Sequence, residues 1–202
     1  MKKLTNLLIV AFIISALLPL NAQSKVGLGV KAGINISDQV TSGTGENVNV
    51  RSILRFHGGA YFTYFVLDKL AVQPELLFSG KGSDWDDPAY NVKDLLTYID
   101  IPVLVRYQLI DLLNIHAGPQ FGYLLSATQK DKSSGDVINI DEYYKKLDLG
   151  LVIGAEANLP YRINLTVRYV IGLIGTTTDV EYIEPWLNNF FQISVGFRII
   201  GD

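Results

Sequence analysis

Apolar and polar residues alternate with a period of two along eight stretches of this chain. In the first stretch the even-numbered residues from Val26 to Ile36 are all apolar, whereas the odd-numbered residues between them are glycine, lysine or asparagine. Because successive side chains of a β-strand point to opposite faces of a sheet, this pattern predicts strands that each have one apolar and one polar face. We expect the strands at residues 25–36, 52–66, 70–80, 95–108, 113–126, 147–158, 161–172 and 189–200.

The segments between the expected strands alternate in length. Long polar segments occupy 37–51, 81–94, 127–146 and 173–188, and short ones occupy 67–69, 109–112 and 159–160. An even number of strands, with short turns at one rim and long loops at the other, is typical of outer-membrane barrels. We therefore predict an all-β fold, an eight-stranded antiparallel up-and-down transmembrane β-barrel whose long loops face outward.

The charged residues of the expected strands fall on the face opposite the apolar one. In a membrane barrel the opposite facing would place these charges in lipid, where basic residues cost about 2–4 kcal/mol each near the bilayer midplane. A soluble ligand-carrying barrel would instead enclose an apolar cavity, whereas the expected inward face here is rich in glycine and charged residues. The interior of an eight-stranded barrel is just wide enough for side chains to fill it, and inward-facing glycines leave room for long ones. We therefore expect a structural polar network in the lumen instead of a wide pore. Its expected members are Lys31, Arg55, His57, Glu75, Asp100, Arg106, His116, Asp148, Glu156, Arg168 and Arg198.

The N-terminus has the features of an export signal. Lys2 and Lys3 precede an apolar run from Leu7 to Leu18, and a small-residue cleavage site follows at Ala22. The apolar run is shorter than the roughly 20 residues that a membrane-spanning helix needs. We predict a signal peptide at 1–22 and an outer-membrane barrel domain at 23–202.

Composition limits the chemistry and the partners. Cysteine is absent from the 202 residues, which excludes disulfides, thiolate metal sites and lipid attachment to cysteine. Loss of residues 1–22 leaves 15 basic and 20 acidic residues, a net charge of −5 that argues against nucleic acid as a partner. We expect no cofactor and no resident metal. The expected partners are outer-membrane lipid and envelope proteins bound through the outward loops.

Three prolines interrupt the expected strands. Pro74, Pro102 and Pro119 lie inside strand segments, although proline cannot donate a ladder hydrogen bond and a closed barrel has no edge strand. We expect β-bulges to accommodate these residues.

Five short motifs occur in order along the chain, at Gly29–Asn35, Gln73–Leu77, Tyr98–Val103, Ala117–Gln120 and Gly150–Gly154. In sequence and spacing they resemble the PorT-like outer-membrane β-barrel proteins common in Bacteroidota. The resemblance covers nearly all of the chain after the predicted signal, includes the three prolines, and implies an eight-stranded barrel in the outer membrane. The C-terminus departs from many outer-membrane barrels, which end on an aromatic residue, because this chain ends Ile199–Asp202.

Lumen-facing histidines suggest one catalytic alternative, a Ser/His/Asp hydrolase. The residues that could supply it are His57, His116, Asp100, Ser79, Ser126 and Ser194. No nucleophile-elbow glycine pattern surrounds these serines, so we favour a role for the histidines in the polar network and predict no catalytic site.

Two expected loops carry clustered carboxylates. Asp84, Asp86 and Asp87 suggest a calcium site, but the alternating oxygen ligands and distal glutamate of a calcium-binding hand are missing, which favours a solvated loop. The last long loop carries further acidic and aromatic residues that could bind partners, or sugars bridged by divalent cations. They are Asp179, Glu181, Tyr182, Glu184 and Trp186.

These features favour a small, non-enzymatic outer-membrane barrel whose role is structural or depends on adhesion or partner binding by its loops. The first alternative is an accessory subunit of a secretion or transport assembly, which the resemblance implies by association. A narrow pore lined by Lys31, Arg55 and Arg168 is the second alternative. The third is an outer-membrane lipid hydrolase or acyltransferase that uses the histidines.

Overall fold

The computed structural model describes residues 26–41, 50–86, 91–178 and 186–201. The predicted signal peptide at 1–22 lies outside these residues and stays a prediction. The strands are β1 (Val26–Thr41), β2 (Val50–Arg51), β3 (Ile53–Leu67), β4 (Leu70–Asp86), β5 (Asn91–Ile110), β6 (Leu113–Asp131), β7 (Val137–Asn139), β8 (Leu147–Asn158), β9 (Ile163–Gly172) and β10 (Trp186–Ile200). Two 3-10 helices span Asp141–Tyr143 and Pro160–Arg162. No helix in the described part of the chain is long and apolar enough to cross a membrane.

Eight of these strands form one closed antiparallel ring. Going around the ring, the order is β1, β3, β4, β5, β6, β8, β9 and β10, and β10 pairs back with β1. The short strand β2 pairs with β4, and β7 pairs with β6. The predicted eight-stranded up-and-down barrel is confirmed.

Several strands are longer at the long-loop rim than the sequence predicted. The segment 81–94, expected to be a loop, consists of the paired ends of β4 and β5 except at 87–90, which lie outside the described residues. The sequence suggested a loop there because the residues are polar, but their side chains face the lumen or water and no apolar alternation marks the strands. At the opposite rim β9 begins at Ile163, later than predicted, because Tyr161 and Arg162 adopt φ of 62° and 65° in the turn.

The two faces of the wall match the predicted alternation. Phe56, Phe121 and Val195 are exposed on the outer surface at 74%, 53% and 56%. The inward faces instead bury charged side chains, and an apolar cluster lies in the lumen beside them. That cluster consists of Leu104, Val152, Val170 and Phe190.

One bulge reverses the facing of a single predicted residue. The register of β5 against β6 shifts between Thr97 and Tyr98, so that β6 gains an unpaired residue at Leu125. Leu124 and Ala127 are therefore both buried, and Ser126, expected in the lumen, is only half-buried. The prediction that Ser126 faces the lumen is wrong.

The three strand prolines occur without bulges. Pairing is interrupted briefly beside Pro74 between β3 and β4, beside Pro102 between β4 and β5, and beside Pro119 between β5 and β6. The register is the same on both sides of each interruption, so the expectation of bulges at these prolines is wrong. Each proline lacks one N–H and loses bonds on one side only, while the strand keeps its partner on the other side.

Candidate functional site

The centre of the lumen is organised around one carboxylate, that of Glu75 on β4. Arg168 on β9 binds it with both terminal nitrogens, each 3.0 Å from a carboxylate oxygen. Lys31 on β1 donates to Glu75 Oε1 at 2.9 Å, and Gln73 Nε2 donates to the same oxygen at 2.9 Å. Because the three charged side chains come from β1, β4 and β9, this cluster connects strands that are not neighbours in the wall.

A second cluster lies in the lumen toward the short-turn rim. Arg106 on β5 pairs with Glu156 on β8 at 2.7 Å, and its guanidinium also donates to Asn158 Oδ1 at 3.1 Å. Arg198 on β10 is half-buried and donates to the same Asn158 oxygen at 3.2 Å. Thr166 donates to Glu156 at 3.2 Å, which satisfies the second carboxylate oxygen.

A third cluster lies toward the long-loop rim and contains a lysine that the sequence analysis missed. Lys81 on β4 pairs with Asp100 at 2.9 Å and with Asp148 at 3.1 Å. Its ammonium also lies 4.3 Å from the ring centroid of Tyr98 and 5.1 Å from that of Phe190. Two carboxylates and two aromatic faces thus surround one buried cation, an arrangement that compensates for its lost hydration.

The outer end of the lumen is closed by a buried carboxylate and by the connection after β6. Asp94 accepts hydrogen bonds from Trp85 Nε1 at 3.0 Å, from Gln129 at 2.9 Å and from the Tyr144 hydroxyl at 3.1 Å. Tyr144 follows the first 3-10 helix, and its ring packs in a buried apolar cluster above the lysine site. The members of this cluster are Leu96, Tyr98, Leu124, Ala127, Ile140 and Tyr144. The connection between β6 and β8 therefore folds over the mouth of the barrel.

The sequence missed Lys81 and Asp94 because it placed both residues in a loop. The signal that identifies them is the alternation of inward and outward positions, which continues beyond the predicted strand ends. Lys81 continues the odd-numbered inward series of β4 that includes Glu75, and Asp94 continues the even-numbered series of β5 that includes Asp100.

The lumen histidines do not assemble a catalytic triad. His57 Nε2 lies 2.8 Å from Ser194 Oγ, but His57 Nδ1 has no hydrogen-bond partner among the described residues. The expected acid, Asp100, is paired with Lys81 instead. His116 Nε2 likewise lacks a partner in the described part of the lumen, so no carboxylate orients either imidazole as a general base.

Arg55 differs from the other expected network members. It is half-buried near the outer end of β3, and no ion pair or hydrogen bond joins it to any described residue. Of the five bases that the sequence placed in the lumen, Lys31, Arg106 and Arg168 form buried ion pairs and Arg198 is hydrogen-bonded, whereas Arg55 stands apart.

The acidic residues of the expected calcium loop have lysine partners. Asp84 pairs with Lys93 at 3.2 Å and with Lys132 at 2.5 Å, whereas Asp87 lies outside the described residues. Within those residues no group of three or more His, Asp or Glu side chains could hold a metal ion. Asp179, Glu181, Tyr182 and Glu184 also fall outside the described ranges, and Trp186 packs edge-on against Trp85 with ring centroids 4.7 Å apart.

One loop carboxylate fixes the connection over the barrel mouth. The backbone N–H of Ala127 donates to Asp141, which begins the 3-10 helix beyond the membrane-spanning part of the strands. This hydrogen bond holds the pKa of the Asp141 carboxyl below its usual value.

Comparison with known proteins connects this architecture to a family. A family model described as "Outer membrane protein beta-barrel domain" matches residues 21–178. No match was found among curated protein sequences.

Two solved structures have a similar fold. One is Ail, the attachment invasion locus protein of Yersinia pestis, in complex with the heparin analogue sucrose octasulfate. It aligns with a TM-score of 0.53 and 10% identity over 86% of this chain and 99% of that chain. Neisserial surface protein A aligns with a TM-score of 0.51 and 12% identity over 88% of this chain and 99% of that chain. At identities this low, the structural similarity shows a shared fold alone.

Proposed function

We propose that this chain, which belongs to the family of outer membrane protein β-barrel domains, is a non-enzymatic barrel that acts through its outward loops. The protein is located in the outer membrane. In this proposal the polar lumen network is structural, and the loops adhere to a surface or bind a partner. The same proposal includes membership of the PorT-like group. It also includes an export signal at residues 1–22 and a barrel domain at residues 23–202.

The observation that carries the proposal is the filled, charge-compensated lumen. Arg168 and Lys81 are each 1% exposed, and each pairs with a carboxylate from a strand that is not its neighbour in the wall, Glu75 and Asp148 respectively. A pore for solutes needs a continuous polar channel, but ion pairs, an apolar cluster and the Tyr144 connection occupy successive levels of this lumen. These features support a protein whose interactions take place at its rim.

The connection between β6 and β8 offers a contact surface for such interactions. Val137, Ile138 and Tyr143 lie beyond the long strands and are exposed at 59%, 56% and 55%. Apolar side chains in a water-facing loop favour binding to a partner, because association removes them from water.

An accessory role in an envelope assembly is the second candidate, and β7 favours it. β7 pairs with β6 in the ladder, and all three of its residues, Val137–Asn139, are exposed. An exposed short strand of this kind can bind an extended segment of a partner by strand addition.

Replacement of the exposed loop residues tests the proposal. We expect the triple variant V137S/I138S/Y143S to lose most of its binding to the cells, surfaces or cross-linked envelope partners that the wild-type protein binds. The variant L173S/I174S is the matched control, because it removes exposed apolar residues from a different outward connection. Equal binding by wild type and triple variant would contradict the role of this loop. Large, steady single-channel currents from the wild-type protein in planar bilayers would contradict the filled lumen.

A further inference from the structure

The pairing of β3 with β4 ends before the long-loop rim, which leaves a gap between the two strands within the closed ring. Pairing of β3 with β4 reaches His57↔Ser79, and the next residues paired on this edge of β4 are Asp84 and Trp85, which pair with β2. The opposite edge of β4 stays paired with β5 across the gap. A groove with a volume of 570 Å³ lies at this gap. Its lining includes Leu54, Arg55, Phe56, His57, Phe78 and Gly80.

Hydrogen bonds to β1 hold the gap open by drawing β4 inward. Asn35 Nδ2 donates to the carbonyl of Gly80 at 2.7 Å, and the Ser37 hydroxyl donates to the carbonyl of Gly82 at 3.0 Å. All five residues of β4 from 79 to 83 are consequently buried, where a wall strand would alternate. Gly82 permits the bend because its φ is 141°, a conformation that side chains rarely adopt.

Arg55 lines this groove. Its guanidinium makes no ion pair or hydrogen bond with the rest of the described chain, although it is half-buried. Gly80 makes room for it, since a Cβ at that position would lie 2.8 Å from Arg55 Nε and 3.0 Å from Arg55 Cβ. A half-buried guanidinium whose donors make no hydrogen bond to the described residues favours an anionic ligand, and its planar fork matches a phosphate or carboxylate.

His57 lies on the lumen side of the groove, and the side that faces the membrane is apolar. Leu54, Phe56 and Phe78 point outward from the barrel and are exposed at 56%, 74% and 56%. Arg55 lies only two residues after the start of β3 at the long-loop rim, so its charge is near the level of the outer lipid headgroups. A cation at headgroup level beside an apolar floor has the chemistry of a site for an anionic lipid.

We propose that this groove binds a membrane lipid with a phosphate headgroup, with the phosphate on Arg55 and an acyl chain along Phe56, Phe78 and Leu54. The volume lies within the range of about 300–1,000 Å³ usual for small-molecule sites. The inference is independent of the loop-mediated role, because none of these residues belongs to the outward connections.

Lipid retention measured by native mass spectrometry tests the site. The full-length protein in maltoside micelles is titrated with dioleoyl phosphatidic acid, with dioleoyl phosphatidylcholine as the comparison lipid. We expect R55Q to weaken binding of phosphatidic acid about tenfold or more, because it removes charge-assisted hydrogen bonds to the phosphate. G80A should weaken it as well, since the added methyl group displaces the guanidinium while the charge is kept.

R51Q is the matched control. Arg51 lies near the same rim and loses the same charge on substitution, but it is exposed and pairs with Asp86 outside the groove. We expect R51Q to bind phosphatidic acid within twofold of wild type. Equal binding by R55Q and wild type would overturn the proposal, as would equal losses in R55Q and R51Q. Displacement of the lipid by millimolar inorganic phosphate would overturn the lipid assignment and indicate a site for free anions.

Discussion

At the scale of single residues, Glu75 is the one anion shared by two buried cations of the central cluster. It is 3% exposed and is the carboxylate that pairs with both Lys31 and Arg168. Burying two cations without their anion is strongly unfavourable, since water no longer solvates them and they repel each other. The network is therefore sensitive to the loss of this one charge.

Glu75→Gln should lower the free energy of unfolding by about 3–5 kcal/mol, the usual cost of removing one partner from a buried ion pair. Guanidinium unfolding in detergent micelles, followed by the shift in gel mobility between folded and boiled protein, measures the change. Glu142→Gln is the control, because Glu142 is an exposed acid and should alter stability by less than about 0.5 kcal/mol. Similar midpoints for the two variants would show that Glu75 has no such role.

Gly33 on β1 is required by a close backbone approach at the seam that closes the barrel. A Cβ built on Gly33 would lie 1.9 Å from the carbonyl oxygen of Ile193 on β10, whereas one on Gly27 would meet nothing nearer than 3.4 Å. Backbone atoms cannot move aside as a flexible side chain can.

Gly33→Ala should therefore separate β1 from β10 and reduce the folded fraction, whereas Gly27→Ala should fold like wild type. The fraction that migrates in the compact form on an unboiled gel of outer-membrane preparations measures the difference. Equal folded fractions in the two variants would mean that closure tolerates a methyl group at position 33.

At the scale of strands, the sequence predicted the fold well because lipid imposes a strict alternation. Residues such as Phe121 and Gln120 occupy opposite environments, so the pattern identifies both the strand and its facing. The apolar–polar alternation ends where the strands are no longer surrounded by lipid. Toward the long-loop rim both faces of β4 and β5 carry polar residues, and Lys81 and Asp94 were missed there although the alternation of inward and outward positions continues through them.

Tertiary contacts account for the other differences at this scale. The bulge that turns Ser126 out of the lumen depends on the pairing of β6 with β5, which the residues of β6 alone do not encode. The inward bend of β4 depends on hydrogen bonds from Asn35 and Ser37, and these are distant in the sequence from Gly80 and Gly82.

Hydrogen–deuterium exchange tests the extended strands directly. Backbone amides at 91–96 should be protected as strongly as those in the middle of β5, since the two segments belong to one continuous ladder with β4. Residues 133–136, which form an exposed turn outside the long strands, should exchange faster. Rapid exchange at 91–96 would contradict the extended strand and would favour the loop that the sequence alone suggested.

At the scale of the whole molecule, a closed wall separates two media. Lipid surrounds an apolar outer surface, and the lumen contains ion pairs that satisfy one another across the barrel. This separation explains why the charged residues could be assigned to the interior from parity. Their pairing could not be assigned, because partners such as Lys31 and Glu75 belong to strands separated by β3 in the ring.

The most direct test of this separation is spin-label accessibility along β8, for which the absence of cysteine makes single-cysteine variants straightforward. Labels at positions 149–155, in protein reconstituted in lipid, are probed with oxygen and with a water-soluble nickel chelate. We predict that oxygen accessibility alternates with a period of two, high at Ile153, which is 51% exposed, and low at Val152, which is 0% exposed. The nickel chelate should reach neither face. High nickel accessibility at the inward positions, or no alternation with oxygen, would contradict a lipid-facing barrel with a filled lumen.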